Sequence, residues 1–190
     1  MARKVADLLI TPGEFLAGEQ ETEVKHEYLG GRVYAMSGGS LKHQRLSRNF
    51  VRHAANRLEE KPCEPTTSDF LVRIDLGSDE VMYYPDAMII CHPTRGDEQF
   101  TTEPTVILEV LSPGTRRIDE TQKLRDYLTI PSLQAYLLAE TDSPTIAVHR
   151  RNGEVFQHEI ISGLDATLAL PEVDLALPLA ELYRDVSFAA

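Results

Sequence analysis

Strand-like and helix-like segments in mixed order predict an α/β or α+β fold, a mixed sheet with flanking helices around one core. Three observations carry that expectation. Two runs, YYPDAMIIC from Tyr83 and TVILEVL from Thr105, are apolar enough to be buried strands. Ahead of them, SGGSLKHQRLSRNFVRHAANRLEEK places Leu46, Phe50, Ala54 and Leu58 at every fourth position, the core-facing stripe of a helix. Downstream, LQAYLLAE, TIAVHRR and EVFQHEIIS alternate at the period of strands.

In chain order, ITPGEFLAG opens the first helix. Thr11 is its cap, Pro12 stands in the first turn, and Glu14 has the capping-box spacing. HEYLGGRVYAM reads as two short strands around Gly30-Gly31, a hairpin. After the helix bearing Leu46 to Leu58, strands are expected over residues 69–75, 81–91 and 105–111. RRIDETQKLRDYLTIP is a helix with Leu124 and Leu128 on one face and Pro131 beyond its end. Asn152-Gly153 turns the last strand pair, and the tail DLALPLAELYRDVSFAA packs as a short helix. No repeat or low-complexity segment divides the chain, so a single domain over residues 1–190 is expected.

An apolar fraction of 42% in 190 residues suffices for a real core. No run of about 18 apolar residues is present, so no membrane span is expected. MARKVADLLITPGEF has too short an apolar stretch, and no small-residue cleavage site, for a signal peptide. Cys63 and Cys91 show neither metal-type spacing nor a disulfide framework. A reduced, cytoplasmic protein follows as the expectation, with Cys91 a small core residue. The net charge of −11 opposes tight non-specific binding to nucleic acid, which needs cationic contacts with phosphates. A nucleic-acid partner therefore requires a local basic face.

Two acids sit inside the apolar runs: Asp86 behind Pro85, and Glu109 among Ile107, Leu108, Val110 and Leu111. A lone buried carboxylate costs several kcal/mol. Strand period puts Asp86 with Met88 and Ile90, and Glu109 with Ile107 and Leu111. On adjacent strands both would point to one side, and two carboxylates with a backbone carbonyl and waters suit a hard cation such as Mg²⁺. The alternative is that each lies solvated near a strand end. Lys123 lies one helical turn from Asp119 and from Tyr127. It is either an exposed ion-pair partner of Asp119 or a lysine beside a metal centre, steering a water or offsetting charge on phosphate. Tyr127 reads as packing.

The set HEYLGGRVYAMSGGSLKHQRL, YYPDAMIIC, VILEVLSPGTRRIDETQKLRDY and PSLQAYLLAE, in that order, resembles the Uma-type restriction-endonuclease family of the PD-(D/E)XK nuclease superfamily. The resemblance runs over about residues 11–183. It implies a restriction-endonuclease-like core, a Mg²⁺-type site (Mn²⁺ as a substitute) and phosphodiester hydrolysis in DNA. By that resemblance Asp86 and Glu109 are the motif acids, the Val110 carbonyl is a further metal ligand, and Glu27 is an earlier acid that ligates metal or water. The superfamily's lysine, two residues after the glutamate, is Leu111 here, which cannot orient water. Lys123 on the following helix is the migrated replacement that the family suggests.

Lys42, Arg45, Arg48 and Arg52 form one helical stripe, apart from the apolar stripe, and are the candidate DNA contacts. The alternative is a solvated face. The helix start after Gly38-Gly39-Ser40 offers N–H groups to a phosphate, His43 is either a substrate contact or a helix-terminal surface residue, and Arg116, Arg117 and Arg125 add charge nearby. The leading expectation is a Mg²⁺-dependent DNA endonuclease, homodimeric because cutting both strands favours two-fold pairing. Two other classes stand beside it. One is a nuclease-like scaffold serving binding or assembly. The other is a hydrolase of a small phosphorylated ligand, which would need a closed pocket.

Overall fold

Pro85 breaks the apolar run around it into two strands that belong to different sheets. The computed structural model, which describes residues 9–36, 38–92 and 96–188, has β5 over Glu80–Tyr83 and β6 over Ala87–Ile90. The sequence reading of one strand over 81–91 is corrected accordingly. Proline has no N–H to give to a sheet ladder, and the chain turns there. Residues 1–8, most of the stretch read above for a signal peptide, lie outside the described residues.

A six-stranded mixed sheet has the order β11-β10-β9-β8-β6-β3, with β3 Glu64–Thr67, β8 Val106–Val110, β9 Ala135–Ala139, β10 Thr145–Asn152 and β11 Val155–Ser162. A five-stranded sheet runs β2-β1-β5-β4-β7, with β1 His26–Leu29, β2 Arg32–Ala35, β4 Leu71–Asp75 and β7 Phe100–Thr101. Strands β8 and β9 are parallel, so their connection must cross over. It does so through one helical segment: α3 Arg116–Ile118, a π-helical turn Asp119–Lys123, and α4 Leu124–Tyr127. This crossover brings the helix back past the end of β8.

Helix α1, Pro12–Glu19, has the full capping box at Thr11 and Glu14. Helix α2, Leu41–Leu58, is capped by Ser40 and buries Leu46, Phe50, Ala54 and Leu58. That stripe packs on one face of the six-stranded sheet, against Ala87, Ile89, Leu108 and Val110. A small hairpin, β12 Thr167–Leu170 and β13 Leu175–Pro178, and helix α5, Leu179–Leu182, close the same core. The tail is thus a strand followed by a short helix, where the sequence suggested a helix alone.

The other face of the sheet carries Met88, Ile90, Ile107 and Leu111, packed with Val72, Ile74 and Tyr83 of the second sheet and Tyr127 of the crossover. The outer side of the second sheet buries Tyr28, Leu71 and Met82 under Phe15 of α1.

The cysteine reading is overturned: Cys63 and Cys91 form a disulfide. The cause is register. Glu64 pairs with Ile90 across β3 and β6, so the residues one step outward, Cys63 and Cys91, face each other. Among the described residues, no helix is long and apolar enough to cross a membrane.

Candidate active site

Register also assembles the two acids. Ala87 pairs with Leu108 across the antiparallel β6–β8 ladder, which sets Asp86 directly opposite Glu109. Opposed residues share a sheet face, here the face of Met88 and Ile107. Each carboxylate is clasped by the other's strand: the Val110 N–H donates to Asp86 Oδ2 at 2.7 Å, and the Asp86 N–H donates to Glu109 Oε2 at 3.3 Å.

Lys123 comes to them from the crossover. It is 6% exposed, and its ammonium lies 2.7 Å from Glu27 Oε1, 3.1 Å from Glu109 Oε1 and 3.7 Å from Asp119 Oδ1. It also sits 5.3 Å from the centroid of the Tyr83 ring, a cation–π distance. The reading of Lys123 as an exposed partner of Asp119 is therefore set aside. Glu27, on β1 of the other sheet, reaches the same ammonium, yet its Oε1 is buried without a well-oriented hydrogen bond.

Three buried tyrosines floor the site. Tyr127 Oη donates to Glu109 Oε1 at 3.2 Å, so this residue packs and also holds an acid. Tyr83 Oη donates to Asp126 Oδ2 at 2.7 Å, and Tyr136 Oη donates to the Asp119 carbonyl at 3.0 Å. The Tyr127 ring touches both neighbours edge-on or tilted, with centroids 5.5 and 5.2 Å away.

His43, in the first turn of α2, places Nε2 3.0 Å from Asp86 Oδ2. Gly39 makes this approach possible. A Cβ on it would stand 2.7 Å from His43 Nδ1, so any larger residue would displace the ring. The contact escaped sequence reasoning, although the cap at Ser40 and the helical period were legible.

Four carboxylates, Glu27, Asp86, Glu109 and Asp119, thus surround one lysine and one histidine. Burial pushes Glu109 well above the usual carboxylate range; Lys123 opposes this, while Asp86, Asp119 and Glu27 add to it. Asp119 is raised for the same leading reason, burial. For Lys123, burial works against the charge but Glu109, Glu27 and Asp119 outweigh it and hold the ammonium charged. His43 loses some basicity to burial and regains more from Asp86, so its pKa ends above the ordinary value.

A cavity of about 160 Å³ opens over Asp86, Glu109 and Lys123, and Gly38, Gly39 and Ser40 also line it. A groove of about 660 Å³ leads away from Asp86, past His43, along Arg48 and Arg52 of α2 and past Lys25. The basic stripe divides here. Arg48 and Arg52 are exposed in the groove, whereas Lys42 and Arg45 are half-buried and do not line it. Arg45 is taken up by the C-terminal segment, donating to the Asp185 carbonyl at 2.6 Å. Arg116 is bound to Glu120 and Glu140, and Arg125 to Asp126.

Two proteins of Synechocystis sp. are similar along the chain. Uncharacterized protein slr1290 is 32% identical over 180 residues, 94% of each chain. Uncharacterized protein sll1609 is 33% identical over 135 residues, 70% of this chain and 75% of that one. Among solved structures, "a putative nuclease belonging to DUF820 from Anabaena variabilis" aligns with a TM-score of 0.71 at 22% identity, covering 92% of this chain and 97% of that one. At that identity the likeness establishes the fold, a mixed α+β core with few helices. A family model described as "Uma2: Putative restriction endonuclease" matches residues 12–180, the stretch that holds Glu27, Asp86, Glu109 and Lys123. The chain belongs to the Uma2 family.

Proposed function

We propose that this protein is a metal-dependent endonuclease that hydrolyses phosphodiester bonds in DNA. One observation carries the reading: Lys123 is buried among Glu27, Glu109 and Asp119, with Asp86 facing Glu109 at the head of a groove that carries Arg48 and Arg52. Membership in a restriction-endonuclease family supports it.

The donor set fits a hard divalent cation. Among the described residues no three His, Cys, Asp or Glu side chains stand gathered for a metal. Mg²⁺, however, is commonly held by one or two carboxylates and keeps several waters. Asp86 and Glu109 would hold it, with the Val110 carbonyl beside them and Glu27 as a further acid. Burial, with Asp86, Asp119 and Glu27 adding to it, raises Glu109 against the pull of Lys123, so one ammonium does not offset the negative charge gathered there. Mg²⁺, or Mn²⁺ in its place, supplies charge neutralisation at phosphate and a more acidic water when bound.

The chain's own residues do the rest. Lys123, kept charged, stands where it can orient the attacking water and offset charge building on the phosphoryl oxygens. Arg48 and Arg52 hold the strand by its phosphates along the groove. His43 fixes the Asp86 carboxylate. Cleavage of both strands of a duplex is served by a homodimer, and we place the protein in the cytoplasm, where its disulfide would meet reductant.

The direct test is cleavage of plasmid and of single-stranded DNA with Mg²⁺, Mn²⁺ or chelator. Cleavage should require the metal and vanish in Asp86→Ala. Metal-independent cutting, or an Asp86→Ala protein as active as wild type, would remove the proposal and leave a nuclease-like binding scaffold.

A further inference from the structure

We infer that a second cavity, beyond Lys123 from Asp86, is a subsite for one unpaired nucleobase, so that the strand is single-stranded or locally opened at the phosphate to be cut. The inference rests on the nuclease reading above and adds the substrate's form to it.

The cavity measures about 400 Å³, and Glu27, Tyr34, Met36, Ile118, Gln122 and Lys123 are among its lining. It adjoins the carboxylate cavity, since Met36, Asp119 and Lys123 line both. A nucleotide whose phosphate lies at Asp86 and Glu109 therefore has its base within reach of this space.

Its walls suit a base. Tyr34 pairs with Glu27 across the β1–β2 hairpin, so both side chains share the face that looks into the cavity. Of the seven tyrosines in the chain, six are buried, and Tyr34 is 49% exposed. Ile118, on the crossover, is 45% exposed. Neither stabilises a core. An aromatic ring and an aliphatic side chain beside a catalytic lysine make a stacking platform, and every base has a π-face to offer it. Gln122 brings an amide, able to donate and accept, to the same cavity; its Nε2 is 3.5 Å from Tyr83 Oη. The acids Glu27 and Asp119 at the border disfavour a second phosphate there and favour a neutral ring with N–H groups. A base inside a duplex has both faces stacked and its edge paired, so only one that has left the stack fits.

The test uses three fluorescein-labelled probes with Ca²⁺ replacing Mg²⁺: a short single strand, the same sequence as a duplex, and an abasic sugar-phosphate strand. Wild type should bind the single strand tightest and, with Mg²⁺, cut it fastest. Tyr34→Ala should weaken single-strand binding by roughly tenfold, one lost stack, with the duplex and abasic affinities and the salt slope unchanged. Tyr34→Phe should keep the affinity, and Ile118→Ser should share the loss. Equal losses on all three probes, or none on the single strand, overturn the base subsite while cleavage by wild type still upholds the nuclease. Tyr34-dependent binding without metal-dependent cleavage does the reverse. No binding of any probe overturns both.

Discussion

Strand β8 shows Val106, Leu108 and Val110 to one side of its sheet and Ile107, Glu109 and Leu111 to the other. Both faces are buried and come from the same stretch of chain, yet they differ in kind. The first is sealed by the apolar stripe of α2 and the C-terminal hairpin, and among the described residues the buried charged side chains, Glu109, Asp119, Lys123 and Asp126, all lie elsewhere. The second holds Glu109, Asp119 and Lys123 at a few per cent exposure, among tyrosine hydroxyls. Apolar burial on the first face stabilises the fold at about 25 cal/mol per Å². Buried charge on the second does not repay its desolvation unless a well-placed partner is present. The difference teaches that apolar burial and buried charge, and with the latter the chemistry proposed above, lie on opposite sides of one sheet. Substitutions should therefore separate them.

The largest effect should come from Lys123→Ala. Cleavage should fall on the order of 10²- to 10³-fold, the loss typical of a removed charge-stabilising group. The fold should suffer too, because Glu27, Glu109 and Asp119 would be left without their cation. Breaking a buried pair costs about 3–5 kcal/mol. Denaturant melts in chelator should show the loss, and the double variant Lys123→Met with Glu109→Gln should recover much of it. An unchanged midpoint in Lys123→Ala would mean that the second face tolerates bare charge and that the contrast is false.

Leu108→Ala probes the first face in the same strand. It should cost about 2–5 kcal/mol, the range for a truncated core leucine. Cleavage per folded molecule at low temperature should stay close to wild type, because Leu108 points away from Glu109. A loss of activity beyond the loss of folded protein would show the faces to be coupled. The disulfide staples the edge of this same side, where Cys63 and Cys91 pack against the first core. Closing a loop with a sequence separation of 28 contributes about 3.6 kcal/mol in the chain-entropy account. Reductant, or Cys63→Ser with Cys91→Ser, should lower the melting temperature accordingly and leave metal-dependent cleavage in place. A melt indifferent to reductant would show that the bridge does not form in solution.

What could be read from the sequence follows the same division. Strand period alone put Asp86 and Glu109 on the faces where the structure has them, and helical period alone isolated the Leu46–Leu58 stripe. Both are local rules. Helical spacing singles out Lys123 but leaves two readings open, the resemblance supplies its role as the migrated lysine, and its burial cannot be read because it depends on the crossover docking between two sheets. Pro85 marked a break, but that the chain changes sheets there is a tertiary fact. The disulfide depends on the register of β3 against β6, a relation between segments with no local trace. The basic stripe had the right spacing, yet the docked C-terminal segment claims Arg45 and leaves Arg48 and Arg52 to the groove. Tyr34 looked like any strand tyrosine until its exposure was known.

The smallest effect is on stability against pH, and its sign is set by the second face. Burial raises Glu109 above its ordinary 4.5, with Asp86, Asp119 and Glu27 reinforcing and Lys123 opposing. Burial raises Asp119 above 3.8 in the same way. His43, which burial would lower, is raised above 6.5 by Asp86. Each of these groups binds more protons in the folded state than in the unfolded state between its ordinary pKa and its folded one. The stability each contributes is fully present below the ordinary value and is lost as pH climbs through the folded value. Three groups act in the opposite sense: the exposed acids Asp69, held low by Lys25, and Asp174, held low by Lys61, as pH falls toward and below 3.8, and His149, lowered by burial and by His158, as pH falls below 6.5, where it offsets part of the decline. In chelator, the melting temperature should therefore decline from about pH 5 to about pH 8. Glu109→Gln should flatten the lower part of that decline and His43→Gln the upper part. Among the described residues no buried charged side chain lies on the first face, so Leu108→Ala should shift the whole curve down without changing its slope. A wild-type melting temperature that rises with pH, or a Glu109→Gln slope equal to wild type, would show that the buried acids of the second face do not carry this dependence.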